Sequence, residues 1–188
     1  MKKIVIFASG SGSNAQQIIA HFKANKLVVV AAVFCNNENA AVLQIAQINN
    51  IDTLVFNKQQ FEEGYVLKKL QIINPDLVVL AGFLLKFPSA LINEFNNKIL
   101  NIHPALLPKY GGKGMYGLHV HRAVLLNNEL ESGITIHHVN EQYDEGTFIF
   151  QKSIEISECK TAEEIAVKIL QLEHRYYAEQ IEKLLINQ

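Results

Sequence analysis

A chain of 188 residues can bury a sizeable core in one domain, and 49% hydrophobic against 19% charged residues is an ordinary globular balance. A net charge of −1 with no basic block gives no electrostatic pull toward nucleic acid or a membrane surface. The apolar run after Met1-Lys2-Lys3 is too short for a signal peptide or membrane span. Cys35 and Cys159, far apart and in no C-x-x-C pattern, point to a reducing, cytoplasmic setting without a zinc site.

In chain order, Ile4–Ala8 is a short apolar run that stops before Gly10, the pattern of a parallel strand buried on both faces. Asn14–Lys23 predicts a helix with Ile18, Ile19 and Phe22 inward, followed by a valine-rich strand, Leu27–Cys35. A helix over Asn39–Asn49, with Val42, Ile45, Ala46 and Ile48 apolar, leads to a short strand, Thr53–Phe56. Phe61–Ile72 reads as one helix with Val66, Leu67 and Leu70 inward, broken by Asn74-Pro75 before strand Asp76–Leu80. Pro88–Phe95 is a short helix and Lys98–Ile102 a strand. Residues 103–117 hold two prolines and four glycines and must be a loop. Leu118–Leu126 is helical, and Gly133–Val139 and Thr147–Ile156 read as an antiparallel pair added at one edge. Thr161-Ala162-Glu163-Glu164 is a capping box opening a long helix whose buried stripe is Ile165, Ile169, Leu172 and Tyr176. The alternation predicts one α/β domain, residues 1–188: a Rossmann-like, mostly parallel sheet with helices on both faces and antiparallel strands late in the chain.

In such a sheet, ligands bind beyond the carboxyl ends of the strands. The loop after the first strand, Gly10-Ser11-Gly12-Ser13-Asn14-Ala15, fits the dinucleotide pattern G-x-G-x-x-G/A. A dinucleotide site also wants an acid at the tip of the second strand, where this chain has Cys35-Asn36-Asn37. Free N–H groups at a helix start bind anions, and Ser13 and Asn14 add side-chain donors, so one phosphate fits better than a pyrophosphate or a turn shaped by packing alone. Asn101 and His103 fall on one side of a strand by its period of two, where amide and imidazole could stabilise an oxyanion; a capping asparagine and a satisfied loop histidine fit equally well. Asp144 could orient His103 and raise its pKa, although ordinary turn chemistry is the simpler account. The stretch Ala81–Pro88 could hold a flat aromatic ligand by its backbone or simply pack the core. His119, His121, His137 and His138 lack a metal-ligand spacing, so no metal is expected.

GSGSN after the first strand, then AGF, NIHPALLPKY and a DEG-type turn together resemble the glycinamide ribonucleotide formyltransferases, along effectively the whole chain. The resemblance implies a folate-dependent enzyme of purine biosynthesis, with 10-formyltetrahydrofolate as cosubstrate and no metal. By motif, Gly12, Ser13 and Asn14 would hold the ribonucleotide phosphate, Glu173 would contact the ribonucleotide, and Asn101, His103 and Asp144 would be catalytic. Leu84, Leu85, Lys86 and Phe87, with Asn101, Asn140, Glu141 and Asp144, would embrace the folate, largely by backbone. Lys109 and His137 would lie near the site. Three stretches depart from the family pattern: a longer loop over Lys109–Gly117, Leu84–Phe87 in place of a Met-Arg stretch, and Tyr143–Gly146 in place of Asp-Gly-Gly. Partners are expected to be small molecules, with neither nucleic acid nor membrane; a homodimer stays open. A methionyl-tRNA formyltransferase would need a further RNA-binding domain and a formyltetrahydrofolate hydrolase a further regulatory one. A silent nucleotide- or folate-binding module would not need the Asn101, His103 and Asp144 set.

Overall fold

The first strand explains the layering. Ile4 to Ala8 are all fully buried, and their side chains alternate: Ile4, Ile6 and Ala8 enter one core, Val5 and Phe7 the other. A strand apolar on both faces must be covered on both, which forces helices above and below it. The computed structural model describes residues 1–186, with elements β1 (Lys2–Ala8), α1 (Ser13–Phe22), β2 (Val28–Cys35), α2 (Ala41–Ile48), β3 (Asp52–Val55), α3 (Lys58–Glu62), α4 (Tyr65–Ile73), β4 (Leu77–Leu80), α5 (Ser89–Glu94), β5 (Ile99–His103), α6 (Leu118–Leu126), β6 (Glu131–His138), β7 (Phe148–Glu155) and α7 (Ala162–Ile186).

The strands form a seven-stranded sheet in the order β3-β2-β1-β4-β5-β6-β7. Pairings among β1 to β5 are parallel; β5–β6 and β6–β7 are antiparallel. The α/β architecture, with its late antiparallel strands, agrees with the sequence. On one face α1, α2, α6 and α7 supply Ile18, Val42, Val124 and Ile169; on the other α3, α4 and α5 supply Phe61, Leu70 and Leu91. The chain enters at mid-sheet, builds β2 and β3 to one side, then returns to build β4 and β5 on the other. The reversal opens a crevice at the carboxyl ends of β1 and β4, the switch point of an open α/β sheet. The Ser9 hydroxyl donates to Asn36 Oδ1 (2.7 Å) and accepts from the Leu84 N–H (3.1 Å), joining the ends of β1, β2 and β4.

Several sequence expectations need correction. The single helix over Phe61–Ile72 is two, α3 and α4, because Gly64 turns left-handed (φ 87°) between them. Asn57 starts α3 early through a reciprocal box with Gln60. Ile48 is 80% exposed, as α2 ends there. In α7 the fully buried tyrosine is Tyr177, and Tyr176 is half-buried. The Tyr177 hydroxyl lies 2.9 Å from the Leu80 carbonyl and 3.2 Å from that of Leu100, which gives its polar tip partners between β4 and β5.

Candidate active site

The crevice is a cavity of about 720 Å³. Ser13 and Asn14 line it from α1, Gly82 to Phe87 from the loop after β4, Asn101 to Pro104 from β5, and Glu173 from α7. The loop between β6 and β7 adds Asn140, Gln142, Tyr143 and Asp144, while Gly112 to Leu118 cover one side.

The α1 end is shaped by backbone. Gly12 caps the helix at φ 76°, and a Cβ there would lie 2.6 Å from Val42 Cβ, so conformation and space both require glycine. The first hydrogen bond of the helix runs from Gln16 N–H to the Gly12 carbonyl, so the N–H groups of Ser13, Asn14 and Ala15 precede the helical ladder. Gly12 does not itself line the cavity. The Asn14 side chain is not aimed at an anion: its Nδ2 donates to Glu173 Oε2 at 2.7 Å, and its Oδ1 is buried without a partner. Burial pushes the Glu173 carboxyl above its ordinary pKa, and the Asn14 hydrogen bond only partly opposes this. The Asn14 amide oxygen and the Glu173 carboxyl, in one cavity with the start of α1, suit a ligand that has both hydroxyls and an anion.

The β5 end is built from side chains. Antiparallel register sets Asn101 opposite His137 and His103 opposite Thr135. His137 Nδ1 lies 2.9 Å from its neighbour's carbonyl, at His138, which can only accept; the proton therefore sits on Nδ1. Nε2 then accepts from Asn101 Nδ2 at 3.1 Å, which orients the amide and leaves its second N–H uncommitted. His103, 3% exposed, is held the same way: Nε2 lies 2.8 Å from the Tyr110 carbonyl and so carries a proton, while Nδ1 faces Asp144 Oδ2 at 3.6 Å. Asp144 also accepts from the Gly112 N–H (2.9 Å) and has its Oδ1 3.6 Å from His137 Nε2. Burial would raise the Asp144 pKa, but the neighbouring His137 and His103 rings and the Gly112 N–H together bring it below its ordinary value. The expectation that Asp144 raises the His103 pKa needs correction in its net direction. Burial lowers that pKa more than Asp144 and the Tyr110 carbonyl raise it, so the ring rests neutral at pH 7.

The loop after β4 is core on one side and cavity wall on the other. Phe87 is 4% exposed and packs with Phe83 around Phe7, at ring centroid distances of 5.1 Å for Phe87 and 5.2 Å for Phe83. Leu84 and Lys86 are exposed, and Lys86 Nζ lies 5.5 Å from the centroid of the Tyr143 ring across the cavity mouth. Glu141 is exposed and does not line the cavity. Lys109 also lies outside it, paired with Glu129 at 2.7 Å, whereas His137 is inside.

The sequence reading assigned no role to Tyr110, Gly112 or Thr135, and considered His121 only as a metal ligand. Thr135, fully buried, accepts from the Leu107 N–H (3.0 Å) and donates to the Ala105 carbonyl (2.7 Å), fixing the loop that leaves β5. Burial lowers the His121 pKa to about 4 and its Nδ1 is unpartnered, so it faces the cavity as a neutral ring. Contacts made through backbone, such as those of Tyr110 and Gly112, leave no mark in residue type; only the glycines of KYGGKG signal that backbone must come close to something.

A switch-point cavity with helix-start donors at one end and an amide–imidazole–carboxylate group at the other defines an α/β protein equipped to bind an anionic ligand and stabilise a developing oxyanion. The chain belongs to the formyl transferase family, whose profile matches residues 2–181. A chloroplastic phosphoribosylglycinamide formyltransferase from Arabidopsis thaliana is 39% identical over 187 residues, covering 95% of this chain. The chain spans 63% of the length of that plant relative. The phosphoribosylglycinamide formyltransferase of Bacillus subtilis is 35% identical over 192 residues, covering 98% of this chain and 95% of the relative. The crystal structure of glycinamide ribonucleotide transformylase 1 from Symbiobacterium toebii matches with a TM-score of 0.91 at 31% identity, covering 100% of this chain and 89% of that one.

Proposed function

We propose that the chain transfers the formyl group of 10-formyltetrahydrofolate to the amine of glycinamide ribonucleotide, a step of purine biosynthesis. The observation that carries this reading is the convergence of Asn101, His103 and Asp144 at one end of the cavity that α1 opens onto at the other. The N–H groups of Ser13, Asn14 and Ala15 hold the phosphate. Glu173 and Asn14 Oδ1 accept hydrogen bonds from the ribose hydroxyls. The pterin lies along the backbone of Leu84 to Phe87 and of Asn140 to Asp144. Two free cysteines, one buried and one half-buried, fit a reducing cytoplasm.

The substrate amine attacks the formyl carbon, forming the new C–N bond and placing negative charge on the formyl oxygen. The uncommitted N–H of Asn101 donates to that oxyanion. The amine proton passes to His103 Nδ1, the ring nitrogen left free by the Nε2–H bond to Tyr110. Asp144 then faces the imidazolium and stabilises it. Collapse breaks the bond between the formyl carbon and N10, His103 returns the proton to N10, and tetrahydrofolate leaves. Each group completes the cycle in its starting state.

The test is an assay of 10-formyltetrahydrofolate consumption with the ribonucleotide and water as rival acceptors. Turnover is expected only with the ribonucleotide, with one formylated product per folate consumed. Equal consumption without it would replace the transferase reading with a hydrolase.

A further inference from the structure

His103 is gripped by a stretch of backbone in an unusual conformation. Among the described residues, the non-glycine positions with positive φ are four asparagines (Asn50, Asn74, Asn97 and Asn128) and two others, Tyr110 and Asp144, both at 58°. Asparagine tolerates this region well and a bulky tyrosine does not. Both of the others hold His103: Tyr110 by its carbonyl on Nε2, Asp144 by its carboxylate toward Nδ1. Two residues further on, the Gly112 N–H donates to Asp144 Oδ2. The backbone of Tyr110 to Gly112 therefore touches both members of the pair. It can come so close because a Cβ on Gly111 would lie 2.6 Å from Leu107 Cδ2 and 3.2 Å from Asp144 Cβ.

Something must keep Tyr110 in a conformation it disfavours. Its hydroxyl donates to Glu129 Oε1 at 2.8 Å, and Lys109 Nζ donates to the same oxygen at 2.7 Å. Glu129 follows α6 directly, its N–H bonded to the Val124 carbonyl. It lines a separate small pocket with Lys109 and Tyr110 and has no place in the large cavity. Lys109 first, then Tyr110, holds its carboxyl below the usual range, so it is an acceptor at neutral pH.

We propose that Glu129 is a positioning residue: by anchoring the Tyr110 hydroxyl it fixes the Tyr110–Gly112 backbone, which sets the tautomer of His103 and the orientation of Asp144. The kinetic half of this inference rests on the formyl transfer reading; the tautomer half does not. The titratable groups facing His103 are Asp144 from the β6–β7 loop, His137 from β6 and His121 from α6. The Tyr110 carbonyl favours the protonated ring, so its displacement lowers the His103 pKa further.

The test pairs imidazole 15N NMR of the substrate-free protein with kinetics, in Glu129→Ala, Tyr110→Phe and Glu129→Gln. Glutamine keeps an acceptor for the Tyr110 hydroxyl and should keep the wild-type His103 spectrum and kcat. Glu129→Ala and Tyr110→Phe should each lose the pure Nε2–H signature of His103 and move its titration to lower pH. They should reduce kcat about 10- to 100-fold, as a small misplacement of a catalytic group does, with both KM values little changed. If Glu129→Ala fails to fold, Tyr110→Phe carries the test alone, since it removes one oxygen atom. A folded variant with an unaltered His103 spectrum, or an altered spectrum with unaltered kcat, overturns the proposal. A wild-type protein that shows the Nε2–H signature but no formyl transfer refutes the function and leaves the clamp standing.

Discussion

The two ends of the cavity are built by opposite means. At the α1 end, the start of a helix and one obligatory glycine present backbone donors, and side chains matter chiefly as acceptors beneath them. At the β5 end, side chains do the chemistry, and each is held by a carbonyl, an N–H or another imidazole. The first arrangement loses binding only in part on side-chain substitution, because its backbone donors remain. The second fails when any single member is lost, because each group sets the protonation or aim of the next. Binding should therefore respond to changes at the first end, and turnover to changes at the second.

The largest expected effect follows from this contrast. Asp144→Asn should lower kcat about 100- to 1,000-fold with the ribonucleotide KM nearly unchanged, as steady-state kinetics will read, because the imidazolium loses its counter-charge while the cavity keeps its shape. An equal rise in KM would erase the distinction between the ends. At the α1 end, the double change Ser13→Ala with Asn14→Ala should raise the ribonucleotide KM about tenfold, since the backbone N–H groups remain and only side-chain hydrogen bonds, each contributing roughly 0.5–1.5 kcal/mol, are lost. Folate affinity, followed by titration, should stay at the wild-type value.

A smaller effect separates binding from stability at the same end. Glu173 has a raised pKa in the fold, so its ionised form opposes folding. That cost is absent below its ordinary pKa of 4.5 and grows as pH rises through the folded value. Glu173→Gln also gives the unpartnered Asn14 Oδ1 a donor. The variant should melt about 2–4 °C higher at pH 8, the shift that roughly 1 kcal/mol produces in a domain of this size, with a smaller gain at pH 5. Its ribonucleotide KM should rise. The smallest effect is in the pH profile: with the His103 pKa held below 6.5 and the neutral ring taking the proton, the acid limb of kcat/KM should fall below pH 6.5. A rate that instead falls as pH rises through the same range would mean that the cationic ring starts the reaction.

What the sequence made legible divides along the same line. Periodicity found the parallel strands, the crevice and the shared side of Asn101 and His103, because burial on both faces and a period of two are written in residue type. The Thr161–Glu164 capping box is present as read, with Thr161 Oγ1 3.2 Å from the Glu164 N–H. The glycine loop was legible because Gly12 answers a conformational demand. Long-range pairings were not. Asn14 with Glu173 and Tyr110 with Glu129 depend on topology and register, which residue spacing alone does not specify, and Asp144 with His103 was legible only as one of two readings. Phe87 illustrates the same limit: one apolar residue in a loop reads alike whether it packs in the core or walls a cavity, and Phe87 does both.

His103→Ala separates the end that binds from the end that reacts. Calorimetric titration of both ligands and single-turnover formyl transfer would be measured on the same preparation. Affinities for ribonucleotide and folate should stay at their wild-type values, with transfer slowed at least about 100-fold. Transfer at the wild-type rate, or a loss of affinity that accounts for the whole loss of rate, would contradict this division.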